Sequence, residues 1–84
     1  MPPNEDVLGA GEFASSKAYP GDKFKFKVLS GTEQTVAGSL YDLVLEITAL
    51  GKCKVHEVVV GQQSWATPQY TLYSSKEVTD RGCE

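Results

Sequence analysis

At 84 residues the chain has room for one small domain, residues 1–84, whose core is too modest for a wide margin of stability. A net charge of −3 and a pI near 5.0 exclude the broad basic face expected of a nucleic-acid binder. No apolar run reaches membrane-spanning length, so no membrane partner is expected. The opening "MPPNEDVLGAG" lacks the basic and apolar regions of a secretory leader. The expectation is a cytosolic chain or a mature form that carries an added Met.

The elements follow in chain order. Asn4 is a suitable helix cap, and Glu5 and Asp6 put negative charge in a first turn, where the helix dipole favours it. Val7, Ala10, Gly11, Ala14 and Ala18 then recur at helical spacing, with Phe13 near the edge of that stripe. Pro20-Gly21 closes the segment, which predicts a helix over residues 5–19. Its inward face is made of Ala and Gly, small enough to lie close against a sheet. Phe24, Phe26 and Val28 alternate with Lys23, Lys25 and Lys27, the pattern of a strand with one wet face. Tyr41, Leu43, Leu45 and Ile47 repeat it. Leu50-Gly51-Lys52 marks a tight turn, and "CKVHEVVV", residues 53–60, a third strand. Residues 61–68 read as a loop, residues 69–75 as a fourth strand, and the remainder as an irregular polar tail. One helix followed by four consecutive strands is an α+β pattern, an antiparallel four-stranded meander around the helix.

Few groups are placed for catalysis. His56 lies three positions from Cys53, so on a strand the two point to opposite faces and form a poor nucleophile–base pair. A surface position on the strand is expected for His56, and the protein is not expected to be an enzyme. Two cysteines and one histidine do not supply a metal centre, and no cofactor motif is complete. Cys53 and Cys83 are read as a disulfide that pins the tail, worth roughly 3–4 kcal/mol in the chain-entropy account. The other reading is two free thiols. The disulfide implies a secreted or extracellular setting; free thiols imply a cytoplasmic one. The lysine stripe is a solvated strand face that discourages edge-to-edge pairing.

Two loops remain. In a meander the first-to-second and third-to-fourth connections fall at one end of the sheet. "QTVAG", residues 34–38, and "GQQSWAT", residues 61–67, should therefore project side by side. Val36 and Ala37 are apolar at a tip, and Trp65 is the only tryptophan, a residue type enriched at binding hot spots. The alternative is a plain turn, with Trp65 folded back onto the helix.

Gln34-Thr35-Val36-Ala37-Gly38 resembles the Q-x-V-x-G loop of the cystatins, inhibitors of papain-like cysteine proteases. "QTVAGSLYDLVLEI" is similar to that loop and the strand after it, and "GKCKVHEVVV" to the next strand. Phe13-Ala14 resembles a Phe-Ala pair in the family helix, and Trp65 falls where the family carries the Trp of its second loop. The resemblance covers roughly residues 5 to 75. It implies a cystatin-like fold and reversible occlusion of the cleft of papain or cathepsins by Gln34, Thr35, Val36, Ala37, Gly38, Ser64 and Trp65. It implies no catalytic residue, cofactor or metal in the inhibitor. It further implies a monomer that can exchange its helix and first strand to give a domain-swapped dimer.

The sequence departs from the family pattern in four places. Only Met1, Pro2 and Pro3 precede Asn4, so a shortened N-terminal trunk is expected. Ser64 stands where the family has Pro. One disulfide can form where the secreted branch has two. The segment "AYPGDKFKF" has no Asn of the kind that serves legumain-type inhibition. The short trunk and Ser64 support an alternative, a cystatin-fold binding module with weak or no protease inhibition.

Overall fold

A computed structural model describes residues 5–83. Asn4, the expected cap, and the short segment before it lie outside the described residues. Helix α1 spans Glu5–Ala18 and is followed by strands β1 (Phe24–Val36), β2 (Gly38–Ala49), β3 (Lys52–Gln62) and β4 (Tyr70–Glu77). The strands pair antiparallel in the order β1-β2-β3-β4, so the expected α+β meander is the observed fold.

The helix ends one residue earlier than expected, though the Tyr19 amide still donates to the Ser15 carbonyl at 3.0 Å. Val7, Ala10, Gly11, Ala14 and Ser15 are buried, while Ala18 is only half-buried. Ser15 is tolerated inside because its hydroxyl donates to the Gly11 carbonyl at 2.8 Å. The small stripe does what its size suggests. A Cβ built on Gly11 would stand 2.7 Å from the Phe26 ring and 3.6 Å from Leu45, so the helix backbone rests directly on the sheet.

Tyr41, Leu43, Leu45, Ile47 and Ala49 of β2 face the helix with Val58 and Val60 of β3, and all are buried. Each large aliphatic side chain buried there is worth about 1.5–3 kcal/mol in removed apolar surface. In β1 the register steps from Val28↔Leu45 to Ser30↔Val44, which leaves Leu29 as a bulge. The bulge switches the helix-facing side from even to odd positions: Phe24, Phe26 and Val28 before it, and Gly31, Glu33 and Thr35 after it. Alternation from residue 24 therefore could not be extended to residue 36, where β1 ends. A second bulge in β4 leaves Tyr73 between Leu72 and Ser74, with its ring over Gly61.

The expected surface position of His56 is corrected by the structure. His56 is buried, on the helix-facing side with Val58 and Val60 and opposite Leu45. Tyr19, just past the helix, covers it: the Tyr19 hydroxyl lies 3.3 Å from His56 Nε2, and the rings meet edge to face at 5.9 Å. Burial pushes the imidazole below its usual pKa of 6.5; Glu77 opposes that shift and Lys54 adds to it.

The tail is more ordered at its start than expected. Lys76 and Glu77 belong to β4 and form ion pairs with Glu57 and Lys54, both at 3.3 Å. Val78 then donates its amide to the Val55 carbonyl at 2.8 Å. Val55 is 1% exposed although it lies on the sheet face away from the helix. The Cys53–Cys83 disulfide closes the segment, with Cα atoms 6.2 Å apart. That bond is compatible with an extracellular location. Among the described residues, no helix is long and apolar enough to cross a membrane.

Candidate functional site

The β1–β2 and β3–β4 connections lie side by side at one end of the sheet. Gln34, Thr35 and Val36 are the last residues of β1, Gly38 is the first of β2, and Ala37 alone separates them. Residues 34–37 are all exposed, and Val36 is 59% exposed. The turn is this tight because residue 38 is glycine. Its φ of 103° lies in a region that side chains disfavour. A Cβ there would also collide with the Gln62 carbonyl oxygen of β3.

The second loop leaves β3 immediately beneath. The Gln63 amide donates to the Gln69 carbonyl at 2.8 Å, and the Ala66 amide to the Gln63 carbonyl at 3.0 Å. These bonds close residues 63–69 into a loop that carries Ser64 and Trp65, both exposed. Trp65 is 69% exposed, so it is not folded back onto the helix as core. The side chain of Gln63 reaches across and donates from Nε2 to the Ala37 carbonyl at 3.3 Å, joining the two tips. A shallow polar hollow lies between the loops, with Gly38 and Gln62 on one side, Ser64 and Trp65 on the other, and Asp6 within it.

A buried polar chain supports this end. The Tyr41 hydroxyl donates to Gln62 Oε1 at 2.9 Å, and Gln62 Nε2 donates to Asp6 Oδ1 at 3.2 Å. The first helical turn, β2 and β3 are thereby tied together under the loops. Burial raises the pKa of Tyr41; the Ser39 hydroxyl opposes that shift and the charges of Glu33 and Asp6 add to it, and the phenol keeps its proton and its role as donor. Tyr70 is raised by burial and then by Asp6. On the hairpin itself, the Ser39 hydroxyl donates to Glu33 Oε2 at 3.1 Å.

All seven expected contact residues, Gln34, Thr35, Val36, Ala37, Gly38, Ser64 and Trp65, fall at this one end. Sequence reasoning missed Asp6, Tyr41, Gln62 and Gln63, which position them. One signal was available: Gln62 continues the alternation of Val58 and Val60, which places its side chain on the helix side.

Elsewhere, Cys53 and His56 lie on opposite faces of β3, and Cys53 is bonded to Cys83. Glu46 offers a carboxylate oxygen within 4.8 Å of both sulfurs, but sulfurs bonded to one another are not thiolate ligands. Comparisons of the chain with protein-family models, curated proteins and solved structures find no match.

Proposed function

We propose that this protein is a reversible, tight-binding inhibitor of papain-like cysteine proteases such as papain and cathepsins. One observation carries the reading: an exposed, apolar-tipped hairpin and an exposed tryptophan loop stand together, joined by the Gln63–Ala37 hydrogen bond. The likeness of residues 34–38 and Trp65 to the cystatin pattern supports the same reading. In this mechanism residues 34–38 enter the middle of the protease cleft and Trp65 covers its flank. The protease thiolate is enclosed but meets no peptide bond in reactive geometry, so inhibition needs no chemistry from the inhibitor. Burial of roughly 800 Å² per partner is ordinary for such a complex. Loops already held in place lower the ordering cost of binding. The Cys53–Cys83 disulfide suits action in a secreted setting.

Titration of papain and of a cathepsin at stoichiometric concentrations tests the proposal. Loss of activity in proportion to added protein is expected, and full activity at micromolar protein refutes it. A second reading, a binding module without inhibition, is favoured by Ser64 in place of the family's proline. It predicts a folded protein whose loops bind a partner while every papain-like protease tested stays active.

A further inference from the structure

The end of the sheet opposite the loops carries a feature that the protease reading does not use. The β2–β3 turn holds Leu50 at φ 55° and Gly51 at φ 75°. Two successive positive φ values belong to the mirror-image hairpin turn, whose first position suits Asn, Asp or Gly. A leucine is strained there, because its Cβ crowds the following carbonyl. Leu50 also gains nothing from the core, since it is 71% exposed. A side chain that serves neither its turn nor the interior points to something outside the fold.

The surroundings suggest what that is. An open hollow adjoins the turn, lined by Leu50, Ala49 and Thr48 from β2 and its turn, by Asp22 and Lys23 just before β1, and by Lys25 within it. Lys25 pairs with Thr48 across the strands, so the two side chains share the sheet face away from the helix. Both lysines are exposed. A lysine offers an apolar stem to a neighbour and a cationic head at its end. The hollow thus combines an exposed leucine, lysine stems, and two ammonium groups against one carboxylate.

We propose that this hollow binds an amphiphilic anion, an acyl chain that ends in a carboxylate. The chain lies against Leu50 and the lysine stems, and the carboxylate pairs with Lys23 and Lys25. The site lies far from residues 34–38 and Trp65 and stands independently of protease inhibition.

Dodecanoate, titrated below its micelle concentration while backbone amide resonances are followed, tests the assignment. Saturable shifts confined to residues 22–25 and 48–51 are expected. Leu50→Asn should relieve the strained turn and raise the thermal midpoint, yet weaken dodecanoate binding by about tenfold or more. The double variant Lys23→Ser/Lys25→Ser should weaken it to a similar degree with the fold intact. Dodecyltrimethylammonium, which has the same chain and the opposite charge, should bind at least about tenfold more weakly. No saturable shifts, shifts centred elsewhere, equal binding of the cation, or unchanged binding by Leu50→Asn would each overturn the proposal.

Discussion

Replacing Gly38 by alanine tests the account of the hairpin most directly. Two costs add. Residue 38 sits at φ 103°, where a side chain strains the backbone by about 1–3 kcal/mol. The new methyl also meets the Gln62 carbonyl oxygen, a backbone atom that no side-chain rotation can move aside. The hairpin must withdraw from β3, and the Gln63–Ala37 hydrogen bond, worth about 1 kcal/mol net, is lost. The sum is about 2–4 kcal/mol, a large share of the roughly 4–13 kcal/mol expected for a domain of this size. Gly21→Ala is the control. Its φ is 80° but nothing lies within 4 Å of an added Cβ, so it carries the backbone cost alone, about 1–2 kcal/mol. Urea unfolding followed by circular dichroism measures both variants. Gly38→Ala should unfold at clearly lower urea than Gly21→Ala. Equal midpoints would mean that the contact between hairpin and β3 does not constrain the turn, and the account of why glycine stands there would fail.

Trp65→Ala should weaken inhibition of papain by about 2 kcal/mol, or roughly thirtyfold, and leave the thermal midpoint unchanged because the ring is exposed. A matching drop in stability would instead make the ring structural. Cys83→Ser frees the tail from β3 and should cost roughly 3–4 kcal/mol by urea denaturation, given a separation of 30 residues; a loss below about 1 kcal/mol would show that the tail docks without its crosslink. His56 has a folded pKa below its unfolded value of 6.5, so below that pH the unfolded chain binds the extra proton. Stability should therefore be constant in this term above 6.5 and fall as pH drops from there towards the folded pKa. In His56→Gln that part of the acid slope should vanish, and an unchanged slope would assign it to other groups.

The fold was legible where hydrophobic pattern and burial are the same thing. The Val7, Ala10, Gly11 and Ala14 stripe and the alternation from Tyr41 to Ile47 each reflect one face against one core. Legibility stopped where a local irregularity broke the period. Leu29 is the extra residue that switches the sides of β1, and a strict two-residue alternation stops at such a position. His56 misled for another reason. An imidazole is usually better solvated at a surface, and its burial depends on Tyr19, which arrives from the far end of the helix through tertiary packing. The same limit put Gly61 and Gln62 in a loop. Their composition suits one, but Tyr73 covers the first, and Tyr41 and Asp6 satisfy the second.

The candidate site divides along the same line. Meander topology alone brings residues 34–38 beside Trp65, because consecutive antiparallel strands return every second connection to one end. What holds the loops there is not written in any contiguous stretch. Tyr41 and Gln62 are 21 positions apart, Asp6 and Gln62 are 56 apart, and Ala37 and Gln63 are 26 apart. Each bond joins ordinary polar groups, side-chain or, at Ala37, backbone, whose partners are known only after folding. A buried polar chain is costly when half satisfied, and here each glutamine oxygen or nitrogen that points inward has its partner. The consequence is mechanical. The first helical turn, β2 and β3 form one support, so a force on the hairpin tip is carried to the core through Gln62 and Gln63. A surface built in that way is already ordered before any partner arrives, which lowers the ordering cost that binding would otherwise carry.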